Sequence, residues 1–218
     1  MPTNFRSFTF FVIAGALVVS FVFGQTPKQE PSKAAPPKEK AATTLENLMA
    51  AFNGESNANA RYAAFAKKAD EEGFAGAASL FRAAARAEQV HADGHAAVIK
   101  TLGGQAKPDI KPPQVKSTKE NLQAALDGET YERDTMYPDF IAVAKKENNK
   151  DALRSFNFAL TAETEHAKLY GDALKNLDSW KTAKTFYVCS VCGYTTTKLD
   201  FEKCPSCFSP KDQYETIK

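Results

Sequence analysis

Glu88-Gln89-Val90-His91 sets a carboxylate and an imidazole one helical turn apart, and the segment around it decides the fold. From Ala77 to Leu102, the positions Ala77, Phe81, Ala84, Glu88, His91, His95, Val98 and Leu102 follow alternating steps of four and three, the spacing of a buried helical stripe. Glu88 and His91 therefore face inward. Glu163-Thr164-Glu165-His166 repeats the arrangement on a second stripe of Leu153, Phe156, Leu160, Glu163, Tyr170, Leu174 and Leu177. Two more segments carry Glu without the paired His. They read Leu48, Phe52, Glu55, Tyr62, Ala66, Ala69 and Leu122, Ala125, Glu129, Glu132, Met136, Phe140, Val143.

An unpaired carboxylate in an interior costs several kcal/mol even after relaxation, against a domain stability of about 5–15 kcal/mol. Positive charge must therefore lie among Glu55, Glu88, Glu129, Glu132 and Glu163. Two divalent cations nearly neutralise them, and carboxylates with imidazoles suit iron or manganese, with zinc also compatible. One Glu from each of two helices plus Glu-x-x-His from each of two others is the ligand set of ferritin-like di-iron bundles.

The chain repeats itself. Thr44-Leu45-Glu46-Asn47-Leu48 recurs as Thr118-Lys119-Glu120-Asn121-Leu122, and Gly54-Glu55 as Gly128-Glu129, so each half is a helical hairpin. A helical Gly costs roughly 1 kcal/mol relative to Ala, and close backbone approach beside the site is the expected reason for both. The repeat breaks where Glu132 aligns with Ala58, which gives one half an extra carboxylate. Thr43-x-x-Glu46 and Ser117-x-x-Glu120 read as capping boxes, while Gly73 and Asn148-Asn149 mark short turns. Between Leu102 and Ser117, Gly103-Gly104 and Pro112-Pro113 exclude a regular element and leave a long crossover. Two hairpins joined by one crossover form the ferritin-like four-helix bundle.

Four cysteines fall in two knuckles, Cys189-x-x-Cys192 and Cys204-x-x-Cys207, suited to one metal in four thiolates. Tetrahedral sulfur takes iron or zinc; Gly193 and Pro205 favour a rubredoxin-like iron centre, and a disulfide pair is the rival. Tyr187, Tyr194, Phe201 and Tyr214 are the expected small core of this module.

Taken together, these motifs resemble the rubrerythrins, over roughly residues 43 to 218. The matching residues are Gly54-Glu55, Glu88-x-x-His91, Gly128-Glu129-x-x-Glu132, Glu163-x-x-His166 and the two knuckles. The resemblance implies an all-α ferritin-like bundle over 43–179 and a small rubredoxin-like metal-binding β module over 183–218. It implies two irons bridged by Glu88 and Glu163, with Glu55 and Glu132 serving one and Glu129 and His166 the other. Glu132 and His91 would exchange at one iron as the redox state changes, and Tyr62 and Tyr137 would stand behind the ligands, where ordinary core aromatics are the alternative. The implied activity is reduction of hydrogen peroxide to water in oxidative stress protection, with electrons supplied through the iron of Cys189, Cys192, Cys204 and Cys207. Transfer between subunits in that family implies a homodimer or higher homo-oligomer. Phe208 departs from the Gly or Ala common after such a knuckle. His95 reads as a satisfied core histidine, or as a donor behind the ligands.

Arg6 precedes an apolar run, Ser7 to Gly24, which reads as a secretory signal over residues 1–24; an uncleaved membrane anchor is the competing reading. Residues 25–42, rich in Pro, Lys and Ala, form a tether. Export, to a periplasm, would separate the protein from cytoplasmic NADH and leave its electron donor unidentified. With 25% charged residues and net charge +2, no nucleic-acid-binding patch is evident. Two other functions fit the same residues: ferroxidase or iron handling, and electron transfer without catalysis, with structural zinc in the thiolate site.

Overall fold

A computed structural model describes residues 42–218; the expected leader (1–24) and all but the last residue of the tether lie outside the described residues. Among the described residues, no helix is long and apolar enough to cross a membrane.

Helix α1 (Thr44–Glu71) opens with the Thr43/Glu46 capping box, in which each side chain satisfies the other residue's backbone N–H. The α1/α2 turn depends on Gly73, whose φ of +79° favours a residue without Cβ. The Ala-rich α2 (Ala75–Thr101) ends as Gly103 and Gly104 donate their N–H groups to Lys100 and Ile99 carbonyls. The crossover is strapped to α1: Asn53 Oδ1 accepts from Asp109 N at 2.8 Å, and Asn57 Oδ1 from Lys111 N at 2.8 Å. Ser117 and Glu120 form the second capping box, at the start of α3 (Thr118–Tyr131). A π turn, Glu132–Met136, joins α3 to α4 (Tyr137–Lys146). Asn149 then caps α5 (Lys150–Lys175).

The π turn corrects the third stripe. Leu122, Ala125 and Glu129 are buried as expected, but the buried positions continue as Tyr137, Ile141 and Ala144 instead of Met136, Phe140 and Val143. A π turn accommodates one extra residue, so every later side chain rotates by one position. Leu102 also departs from expectation: at the end of α2 it is exposed.

Two apolar clusters occupy opposite ends of the bundle. One holds Tyr62, Phe65, Phe81, Leu122 and Tyr170, and the other Leu48, Phe52, Ile99, Tyr137 and Phe156. In every helix the acidic and imidazole residues fall between the two clusters, so the bundle has a polar waist.

After a short 3-10 turn (Leu177–Trp180), strand β1 (Phe186–Cys189) lies between β2 (Thr195–Thr196) and β3 (Tyr214–Ile217) in an antiparallel sheet. Buried Phe186 and Val188 join the first bundle cluster, with Trp180 stacked on Phe186 at 6.3 Å. Tyr187 is half-buried, so the expected aromatic core is smaller. Tyr194 and Tyr214 pack on the cysteines, and Phe201 on Tyr214. Arg86 of α2 grips Glu215 of β3 through two 2.7 Å hydrogen bonds, which fastens the module to the bundle.

Candidate metal centre

The four long segments bring six of the seven expected ligands together at the waist. Ligand atoms of Glu55, Glu88, His91 and Glu163 lie within 4.8 Å of one another, as do those of Glu88, Glu129, Glu163 and His166. Glu88 and Glu163 belong to both groups. Glu163 Oε1 is 3.0 Å from His91 Nδ1 and its Oε2 2.8 Å from His166 Nδ1, while Glu88 reaches the same two nitrogens at 2.9 and 3.4 Å. Each shared carboxylate thus spans the two histidines, one oxygen to each, as a bridge between two cations requires.

Glu132 falls outside both groups. It sits half-buried on the π turn, where burial and then Glu129 raise its carboxyl well above the usual range, opposed by Arg61. Its counterpart in the first half, Ala58, is packed in the apolar core.

Buried charge supplies a test of whether metals fit. Glu55 Oε2 and Glu129 Oε2 are buried without a hydrogen-bond partner, and Glu163 Oε1 and Glu88 Oε1 have only ionic contacts with His91 and His166 that lack hydrogen-bond geometry, whereas native interiors leave few such atoms. Burial raises Glu129 to about 8, reinforced by Glu163 and Glu88, and holds Glu55 well above its ordinary value, reinforced by Glu132. For the histidines burial acts downward, yet Glu163 and Glu88 lift His91 to about 10, and Glu88 leads the groups that raise His166. Burial would raise Glu163 too, but the two imidazoles pull it below the normal range. Orphaned oxygens and carboxylates that resist ionisation are the mark of a site completed by cations.

The far nitrogens of both histidines are held by the cysteine module. His91 Nε2 lies 3.2 Å from the Cys192 carbonyl, which can only accept, so Nε2 keeps its proton in every state, and Nδ1, whose proton points at the carboxylates in the metal-free protein, is the nitrogen that would ligate a cation. His166 Nε2 lies 3.0 Å from Thr195 Oγ1, whose own proton goes to the Gly193 carbonyl. Both rings are thereby fixed in the ligating tautomer. Gly193 makes the approach feasible, with φ +76° and no Cβ to collide with the His91 ring. The part played by Cys192, Gly193 and Thr195 was not evident from sequence, because nothing in the knuckle pattern says which surface it meets.

Tyr137 donates to Glu55, and Tyr62 donates to Glu129 at 2.6 Å, so each tyrosine stands behind one ligand. Gly54 does not serve a close approach, since a Cβ there would meet nothing within 4 Å. At Gly128 the nearest atom would be Tyr62 Oη at 4.0 Å, so close approach explains neither glycine.

The four thiols also form one group, with Cys189–Cys207 and Cys192–Cys204 sulfurs 3.7 and 3.6 Å apart and all four cysteines free. Metal–sulfur bonds of about 2.3 Å in a tetrahedron set sulfurs roughly 3.8 Å apart, so the cage has the right size. Phe208 takes the left-handed conformation, φ +62°, which favours a glycine. Here the ring turns out to solvent, 71% exposed.

Fold and site together define a ferritin-like di-metal carboxylate protein with a four-thiolate module. The family model for rubrerythrin matches residues 46–174. Nigerythrin of Nitratidesulfovibrio vulgaris is 43% identical over 178 residues, 81% of this chain and 88% of that protein. Rubrerythrin-2 of Clostridium acetobutylicum is 36% identical, covering 82% and 98%. A structure of nigerythrin in its fully reduced, all-ferrous state aligns with TM-score 0.76 at 39% identity, over 90% of this chain and 100% of that one. The chain belongs to the rubrerythrin family. It is a di-iron oxidoreductase with a rubredoxin-like iron site.

Proposed function

We propose that this protein reduces hydrogen peroxide to water at the waist of the bundle and is re-reduced through the four-thiolate iron. Glu55, Glu88, His91, Glu129, Glu163 and His166 would hold the iron pair, with Glu132 as the ligand that would exchange with His91. Bound in the ferrous state, the iron pair supplies two electrons, and H2O2 + 2 e− + 2 H+ gives two waters. The observation that carries the proposal is the double engagement of His91. One ring nitrogen faces the shared carboxylates, and the other is bonded to the carbonyl of Cys192, itself one of the thiolates. That contact is the route by which electrons would reach the waist.

Glu132 is suited to exchange because it is half-buried on a π turn, near enough to the waist for burial and Glu129 to raise its carboxyl. The contact between module and waist is made within one chain, so a homo-oligomer, which the family resemblance supports, is not needed to complete the site. Export through the 1–24 leader is part of the proposal, with an electron donor outside the cytoplasm. The mass of the mature chain tests it, with cleavage after Gly24 expected.

Anaerobic titration of the reduced protein with peroxide tests the activity: one peroxide should oxidise one iron pair. Cys207→Ser should spare that first turnover and abolish steady-state turnover with an external reductant. Rapid oxidation by dioxygen with indifference to peroxide would instead establish the ferroxidase reading.

A further inference from the structure

Between the bundle and the cysteine module runs a groove of about 430 Å³, lined by Gly94, Val98, Arg154, Ser155, Phe158 and Cys207. A small inner cavity of about 20 Å³ continues from it toward His91, and Ser155 lines both. Behind Ser155 lies His95, fully buried, with Nδ1 2.7 Å from Ser155 Oγ and Nε2 3.1 Å from Tyr137 Oη. Tyr137 in turn is bonded to Glu55.

The direction of every bond in this chain is fixed from one end. As a ligand to a bound cation Glu55 is ionised and only accepts, so Tyr137 donates to it. The phenol oxygen then accepts from His95 Nε2–H, which leaves Nδ1 bare to accept from the Ser155 hydroxyl. All three donors point from the groove toward the waist. His95 does not touch the carboxylate by a bond of its own, since Nε2 is 4.0 Å from Glu55 Oε1.

We propose that Ser155, His95 and Tyr137 form a proton relay that carries protons from groove water to Glu55 during peroxide reduction. In the first pass the Tyr137 proton moves to Glu55, the His95 Nε2 proton to Tyr137, the Ser155 proton to His95 Nδ1, and a hydronium ion in the groove restores the serine. His95 stays neutral through each pass while its proton moves from Nε2 to Nδ1. A ring flip that turns Nδ1–H toward Tyr137 and Nε2 toward Ser155 resets the line once Glu55 has passed its proton on, and the second pass restores the starting tautomer. Two passes supply the two protons that accompany the two electrons in forming two waters. The relay rests on the peroxidase reading. His95 and Ser155 act through Tyr137 and Glu55 and touch no reacting atom.

The full-length protein loaded with zinc, which is redox-inert and diamagnetic, gives the first test by nitrogen NMR of its three imidazoles. His95 should carry its proton on Nε2, and a proton on Nδ1 overturns the relay. The second test mixes the fully ferrous protein with one equivalent of peroxide in water and in deuterated water. The wild-type rate should fall by about twofold or more in deuterated water, as expected for a proton in flight. His95→Gln offers the same acceptor and donor without passing protons between them, so it keeps any merely positional role. It should be slower by about 100-fold, and Ser155→Ala, where groove water can replace the hydroxyl, by about 10-fold. A wild-type single-turnover rate in either variant overturns the relay and leaves the peroxidase reading standing. A wild-type protein inert to peroxide overturns that reading and the relay with it. Ser155 is half-buried, so its variant serves even if His95→Gln fails to fold.

Discussion

The two halves of the bundle descend from one pattern and have diverged where the chemistry lies. Each supplies a lone Glu after a Gly, a Glu-x-x-His pair, a capping box and a short turn. Yet α1 runs unbroken past Ala58, while the second half places Glu132 on a π turn at the matching point. The first half is an uninterrupted α-helix there. The second holds its extra carboxylate at a point where the helix is already irregular, and π turns recur at functional sites for that reason. The halves also meet the cysteine module differently, His91 through the backbone of a metal-binding cysteine and His166 through a threonine hydroxyl.

The largest effect should come from residues the halves share. Glu163→Ala removes a carboxylate that spans both histidines, so both irons should be lost, where Glu129→Ala should lose one. Metal analysis after dialysis checks this, and the drop in affinity should exceed the roughly 10–100-fold typical of outer partners. Glu132→Ala makes the halves alike, and peroxide turnover should slow by about 100-fold while two irons remain bound. If steady-state turnover were unchanged with both irons present, the difference between the halves would have no part in the reaction.

A smaller effect belongs to the module contacts. Thr195→Val removes the acceptor for His166 Nε2 and should weaken metal binding by about 10-fold, in the second half alone. The least change is in stability with pH. In the metal-free protein Glu129 is raised to about 8, so the folded chain keeps a proton that the unfolded chain loses above about 4.5. His91, raised to about 10, keeps one that the unfolded chain loses above about 6.5. Both contributions therefore fade as pH rises between these limits; His95, lowered to about 3, acts the other way below about pH 6.5, and the lowered Glu163 below about pH 4.5. The melting temperature of metal-free protein should fall by several degrees from about pH 6.5 to pH 9, above the range in which His95 opposes the trend, and the gap to metal-loaded protein should widen. Calorimetry of both forms checks it.

Much of the site was legible because helical spacing is a local property. Glu88 and His91 had to share a face whatever lay opposite, and buried carboxylates had to find cations. The capping boxes and both hairpin turns were readable for the same local reason. Past Glu132 the reading slipped by one residue, because nothing in Glu132–Met136 distinguishes a π turn from an α-helix until Tyr137 is seen packed in place of Met136. His95 shows the limit from the other side: its stripe position was clear, and its partners were not. Ser155 and Tyr137 lie on other helices, and no periodicity links them.

By itself the sequence determined the ligand types, their helical phase, the duplicated hairpins and the four-thiolate knuckles, since each follows from spacing along one segment. The tertiary structure alone decided that two carboxylates span both histidines, that the knuckle backbone and Thr195 set their tautomers, and that a hydrogen-bonded line runs from Glu55 to a groove. Those features join residues far apart in the chain, and only the packing of separate helices and the docking of the module fix which donor meets which acceptor.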